Sequence, residues 1–434
     1  MKKIFLLLTI FVTDVHATDL IDLYDRARQH NINILNNTID LNIANESLKQ
    51  TRSSVYPEVD FRAQASETTI ERYESSGSFE PADYDRDTYN LTIRQPLIHL
   101  YVFDEIKKAK NSIKQSEISK DNASSILILE SVRNYFNLIK YKNLVELNEA
   151  KRDLNKSKYN ASEKLFRNGS ITLEDFQKIR NNFEISQNDL SSSKNSLDEI
   201  KNEVFIFSGK ELNDINDIKL TKINHREYVL DQLLSKAYSR NFMVNMSREN
   251  ININRNEIAS QKSRHYPTID LVAEYDYLDL TQGGSQFGAT TREDSTLSIV
   301  LNFPIFKGGY QSSKIKQARM NYEKARLEHK NSKRTVRKDI IDNFNRYNLN
   351  KKQYHTALQI LKTNLKKYEN AQLGFDKGIY SDTQVLETKT MYLESLSDAK
   401  NIMMDYVYSE MTIKYLLNEL DMSSLRKVNT YLVW

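Results

Sequence analysis

Apolar positions along this chain follow two periods, which alternate. Val59, Phe61, Ala63 and Ala65 interleave with Glu58, Asp60, Arg62 and Gln64. Ile269, Leu271, Ala273, Tyr275 and Tyr277 alternate with Asp270, Glu274, Asp276 and other residues, and Leu297, Ile299, Leu301 and Phe303 with smaller or polar partners. Tyr89, Leu91 and Ile93 give a weaker instance. Period 2 marks a strand with one apolar face. Elsewhere the steps are 3 and 4: Leu147, Ala150, Leu154, Ser157, Ala161; then Phe176, Ile179, Phe183, Ser186, Leu190; then Leu358, Leu361, Leu365, Tyr368, Gln372. That spacing predicts coiled-coil helices, with seams small enough for close approach.

Helix breakers respect the same division. The five prolines, Pro57, Pro81, Pro96, Pro267 and Pro304, all fall in the two period-2 windows, and most glycines lie there or just beyond. From Leu97 to Asn168 there are 72 residues without Gly or Pro, and from Tyr310 to Leu373 there are 64. At about 1.5 Å per residue the first stretch, if helical, reaches roughly 108 Å. Gly169 and Gly378 then interrupt the seams, which predicts a capped helix end and a turn into a returning helix. Each period-2 window predicts one long hairpin, at about 57–98 and 267–306.

The chain is also written twice. Tyr56-Pro57 recurs as Tyr266-Pro267, Gln95-Pro96-Leu97 as Phe303-Pro304-Ile305, and Phe166-Arg167-Asn168-Gly169 as Phe375-Asp376-Lys377-Gly378. Leu20, Leu23, Ala27 and Asn31 answer to Leu230, Leu233, Ala237 and Asn241 at a shift of 210. The repeat is far too long for a solenoid. The organisation expected is a leader at 1–17, a first repeat at 18–209 and a second at 210–434.

Composition narrows the class. The 62 Lys+Arg and 58 Asp+Glu give a net charge of +4 with both signs mixed, which argues against a nucleic-acid partner. Mean hydropathy of −0.63 excludes a polytopic helical membrane protein. With no cysteine, disulfides, thiolate catalysis and a cysteine-borne lipid anchor are excluded. Lys2-Lys3, the short apolar run Ile4–Val12 and Val15-His16-Ala17 read as a secretory signal, mature from Thr18. There is no nucleotide loop, nucleophile elbow or HExxH, and the seven histidines are scattered. No catalytic residue, metal site or cofactor is therefore assigned, and an enzyme is not expected.

Two hairpins give four strands of a length suited to a bilayer. A bilayer tolerates strands only in a closed barrel, and bacterial barrels need at least about 8. Four strands cannot close alone, so several chains must each supply a part. Between Glu67 and Asp87 seven acids (Glu67, Glu71, Glu74, Glu80, Asp83, Asp85, Asp87) face two arginines, in keeping with an outer-face loop.

These features together resemble the TolC-type outer-membrane channels, which serve type I secretion and tripartite efflux. The resemblance covers essentially the whole mature chain. It rests on the repeat, the two Tyr-Pro pairs, Pro304-Ile305-Phe306-Lys307-Gly308-Gly309, the segments Gly169–Asp175 and Gly378–Glu387, and the end Asp421–Asn429. It implies mixed α and transmembrane β structure: a homotrimeric, 12-stranded barrel continuous with a periplasmic α-helical barrel. The implied location is the outer membrane of a Gram-negative bacterium, in contact with its lipid and reaching into the periplasm. Implied partners are a periplasmic adaptor and an inner-membrane ABC or proton-driven transporter.

By resemblance, Gly169, Ser170, Ile171, Gly378 and Ile379 belong to adaptor-docking helix tips. The family's two acidic constriction rings map onto Gln384 and Glu387, of which only Glu387 keeps the charge. The polar link that holds the family's entrance shut maps onto Asp175, Phe375 and Tyr380, and only its acid is kept. The C-terminal segment tilts the reading towards secretion or a multi-purpose duct. Two other readings stay open on sequence: a soluble periplasmic coiled-coil protein, and an adaptor of the same machine.

Overall fold

The computed structural model describes residues 19–70, 82–212, 215–221, 223, 226–280 and 290–433. The expected leader therefore lies outside the described residues, as do Glu71, Glu74 and Glu80. Elements run in chain order as α1 (Leu20–His30), α2 (Ile32–Ser53), β1 (Glu58–Ile70), β2 (Ala82–Ile98), α3 (Leu100–Arg167), α4 (Leu173–Ser208) and β3 (Asp217–Ile218). They continue as α5 (Leu230–Arg240), α6 (Phe242–Ser263), β4 (Thr268–Leu280), β5 (Thr290–Asn302), α7 (Tyr310–Asp376), α8 (Asp382–Leu416), α9 (Met422–Asn429) and β6 (Leu432–Val433). The second set repeats the first, and α3 and α7 are helices of 68 and 67 residues.

Two compact units result, and each draws on both repeats. One is built from Thr38–Ser119 and Asn245–Ser332. Its centre is an antiparallel sheet in the order β1-β2-β4-β5. Register decides the two faces, because paired residues point the same way. Val59 opposes Ile93, Phe61 opposes Leu91, Leu91 opposes Tyr275, Ala273 opposes Leu297 and Leu271 opposes Ile299. One face is thus apolar across all four strands at the level of Val59, Ile93, Ala273 and Leu297, and turns polar at Glu293, Asp87 and Asp279 further along. The other carries Asp60, Arg62, Thr92, Asn90, Glu274, Asp276 and Thr296.

The apolar face is bare: Phe61 is 68%, Leu297 73% and Ile299 71% exposed. Both edge strands, β1 and β5, pair on one side only. The expected β5 ends one residue early, at Asn302, leaving Phe303 outside it before Pro304. In the first repeat β2 instead passes Pro96 with an irregular register between Pro96 and Ile98, which absorbs the missing N–H. In the same unit α3 is tied to α6 by Lys108–Glu257 at 2.5 Å and by Ser260 donating to Glu105 at 2.6 Å.

The other unit comprises the described parts of Met1–Asn37, Lys120–Val244 and Lys333–Trp434. Its core gathers Leu20, Leu23 and Ala27 of α1, Leu233 and Ala237 of α5, Tyr135 and Ile139 of α3, and Met403 and Tyr406 of α8. The C-terminal segment Asp421–Asn429 closes it. Asp421 caps α9, and Asn429 bridges back to α1 by accepting from Leu20 N and donating to Asp19.

Two helical hairpins, α3/α4 and α7/α8, extend through this unit. In α4 the expected seam is the observed one: Ser186 and Leu190 are buried, and Phe176, Ile179 and Phe183 half-buried. In α3 the seam keeps Leu147, Ala150 and Leu154 but passes through Ser162, leaving Ala161 exposed. In α7 the expected Leu358, Leu361, Leu365 and Tyr368 are half-buried, beside the buried Tyr354, Ala357 and Ala371, and of the expected positions Gln372 is exposed. Two tyrosines add partners to that seam. Tyr354 donates to Thr221 O, and Tyr368 stacks on Tyr392, ring centroids 5.9 Å apart.

Candidate functional site: the helix tips

Both hairpin turns are built by the same local chemistry. Gly169 has φ +72° and Gly378 φ +69°, the left-handed conformation that ends a helix and that glycine adopts at least cost. Gly169 N donates to Phe166 O and Ser170 N to Leu165 O. Gly378 N donates to Phe375 O and Ile379 N to Gly374 O in the same pattern. The returning helices are capped by Thr172 and Ser381. Ile379, at the second tip, is 70% exposed, while Gly169, Ser170 and Gly378 are also exposed and Ile171 half-buried.

Several expected site residues turn out to serve the tips themselves. Asp175 accepts from the Thr172 hydroxyl at 2.8 Å and donates its backbone N–H to it, an N-terminal cap. Gln384 completes a capping box: its side chain accepts from Ser381 N at 2.8 Å, and its own N–H donates to the Ser381 hydroxyl. Phe375 is exposed. The Tyr380 ring lies over Gly374, where an added Cβ would come within 2.2 Å of the ring. A groove beside this tip is lined by Glu369, Gln372, Leu373, Phe375, Asp376 and Val385.

Glu387 has a partner that sequence reading did not supply. Its carboxylate lies 3.4 Å from the Lys158 ammonium on α3. Lys151 and Glu394 pair at 3.1 Å, and the Ser157 and Thr383 hydroxyls meet at 2.9 Å. Deeper in, Lys400 is buried between Asn143 at 3.1 Å and Asp217 at 2.5 Å. The contacts of Asn143, Lys151, Ser157 and Lys158 join α3 to α8, and so one hairpin to the other, while Asp217 ties α8 to β3. Lys158 carries no sequence signal for this, because its partner lies 229 positions away.

Within hairpins aromatic stacks add to polar contacts such as Lys194–Glu149 at 3.2 Å. Phe166 stacks on Phe176 at 4.9 Å and Tyr159 on Phe183 at 5.7 Å. Between hairpins, at the tip end, the contacts are polar and solvent-accessible. Pairs of that kind contribute roughly 0–1 kcal/mol each, so this joint is the weaker one.

A four-stranded sheet with a bare apolar face, together with two long helical hairpins, defines a subunit of an outer-membrane channel. The model of the outer membrane efflux protein family matches residues 23–209 and 233–418, once per repeat. The outer membrane protein TolC of Salmonella enteritidis is 21% identical over 97% of this chain and 86% of its own length. The proteases secretion protein PrtF of Dickeya chrysanthemi is 19% identical over 80% of this chain and 77% of its own. The outer-membrane channel CmeC of Campylobacter jejuni superposes with a TM-score of 0.70 at 17% identity, over 95% of this chain and 90% of that one. The chain belongs to the outer membrane efflux protein family and is an outer-membrane exit duct.

Proposed function

We propose that three copies of this chain share one 12-stranded barrel, with the helix tips of the paired hairpins forming its periplasmic entrance. The observation that carries this reading is the sheet: four strands, an exposed apolar face and two open edges. An open edge in lipid leaves backbone groups unpaired, and joining β5 of one copy to β1 of the next removes both edges at once. Cargo enters from an inner-membrane transporter through a periplasmic adaptor that docks on Gly169, Ser170, Ile171, Gly378 and Ile379. Glu387 supplies the charge at the constriction, and Gln384, one turn away, holds the helix start that carries it. The likeness to a proteases secretion protein favours protein cargo. Recording in planar lipid bilayers tests the reading. Folded protein that inserts and conducts ions supports it, and folded protein with no conductance rejects it.

A further inference from the structure

The repeat holds at the level of single side-chain contacts in the hairpins, at a shift of 209. Tyr159 stacks on Phe183 at 5.7 Å, and its counterpart Tyr368 stacks on Tyr392 at 5.9 Å. Asn155 donates to Asn182 O, and its counterpart Asn364 donates to Met391 O. Ser186 and Ser395 are both buried, each donating to the carbonyl three residues back. The two hairpins are therefore one structure written twice.

Among the described residues, the joint between hairpins has no such duplicate inside one chain. There α8 runs antiparallel along α3, with Asn143 beside Lys400, Lys151 beside Glu394 and Lys158 beside Glu387. The same shift turns α3 into α7 and α8 into α4. The α7 side of that second joint is an open groove on α7/α8 lined by Gln353, Thr356, Ile360, Ser395, Asp398 and Ile402. Ile360 stands where Lys151 stands in the first hairpin. The residue that stands where Glu394 stands is Ile185, on α4. Both isoleucines are bare, Ile185 56% and Ile360 51% exposed.

From this we infer that α4 of a second copy lies along α7/α8 as α8 lies along α3, setting Ile185 of one copy against Ile360 of the next. The inference rests on the trimer reading above. It names the contact that closes the ring of hairpins. A salt link inside the chain is replaced between chains by an apolar one, which covers two side chains that water otherwise surrounds. The replacement is complete at this level and incomplete at the tip. Lys158 and Glu387 map onto Lys367 and Lys178, two cations, and one turn nearer the end Glu174 falls opposite Ala371. The joint between chains is thus held by its apolar middle, whereas the joint within a chain is held to its tip.

The protein has no cysteine, which makes the test direct. The variant Ile185→Cys/Ile360→Cys, purified in mild detergent, is oxidised and run on a denaturing gel beside each single variant. A Lys151→Cys/Glu394→Cys variant serves as the intrachain control. The inference predicts covalent dimers and trimers from the first double variant only, and a cross-link that leaves the monomer's mass unchanged from the control. A native mass of three chains without interchain cross-linking overturns the seam and leaves the trimer standing. A native mass of one chain overturns both.

Discussion

Tyr380 lies on Gly374: the ring occupies the space that a side chain at 374 would need, with its Cδ2 atom 2.2 Å from the position of an added Cβ. Glycine inside a helix costs about 0.5–1 kcal/mol relative to alanine, yet α7 runs through Gly374 to Asp376. The seat for Tyr380 accounts for it. Gly374→Ala should strengthen the helix locally and unseat the ring. The expected result is a thermal midpoint unchanged within about 2 °C, with raised open-channel conductance in bilayers. Tyr380→Ala should raise conductance in the same way. Unchanged conductance in both variants would remove Tyr380 from the entrance.

Lys158 sits 3.4 Å from Glu387, so the ring charge expected of Glu387 is partly offset while that pair is intact. Glu387→Ala should weaken block by a multivalent cation, and Lys158→Gln should strengthen it, each by several fold at low salt, where exposed charges are least screened. Bilayer recordings at two ionic strengths read both effects. Unchanged block in Glu387→Ala places the constriction elsewhere.

The two faces of β5 should differ sharply in what they tolerate. Ile299 is on the bare apolar face, and Ser298 is on the other. Ile299→Arg puts a cation into lipid, at a cost of about 2–4 kcal/mol near mid-bilayer. It should reduce the protein recovered in outer-membrane fractions, whereas Ser298→Arg should leave recovery near wild type. Equal recovery of the two would contradict the assignment of faces.

Lys108 and Glu257 supply a pH dependence with a definite sign. Burial pulls the Lys108 ammonium down, but Glu257 and Glu105 outweigh it, so the group is raised above 10.5. Burial pushes the Glu257 carboxyl up, but hydrogen bonds from Lys108 and Gln261 outweigh it, so the group is held below 4.5. A depressed carboxyl contributes stability above its unfolded value and loses it as pH falls through the folded value. A raised ammonium contributes below its unfolded value and loses it as pH rises through the folded one. The pair therefore contributes evenly across neutral pH and fades below about pH 4. The melting difference between wild type and Glu257→Gln, about 1 kcal/mol, should be flat from pH 5 to about 9 and shrink in stronger acid. A difference that persists undiminished at pH 3 would exclude the ion pair as its source.

Much of this architecture is legible in the sequence because it is periodic. Alternation at Val59–Ala65 and Ile269–Tyr277 gave the strands, and Gly169 and Gly378 gave both hairpin turns. What escaped was done by asparagine. Asn31 and Asn241 each end one helix and start the next, accepting from Ile34 N and from Met243 N. Asn418, at φ +54°, ends α8 where no glycine or proline stands. Asparagine tolerates the left-handed conformation and caps helices with its own side chain, so a search for glycine and proline passes over it. The α3 seam departs from the expected step at its end, where Ser162 is buried in place of Ala161. At the tips, matching Asp175 and Gln384 to the family could not reveal that both spend their side chains on caps. Nor could the sequence bring Lys158 to Glu387, since long-range pairing between helices leaves no local trace.

The measurement that bears most directly on the central claim is the native mass of the complex drawn from outer-membrane fractions in mild detergent. The open edges of β1 and β5 predict several chains in one complex, and the proposed 12-stranded barrel makes them three, each near the 50.8 kDa of the full sequence and extracted only when detergent is present. A soluble monomer or dimer would mean that the strands do not share a barrel, and the channel reading would fall with it.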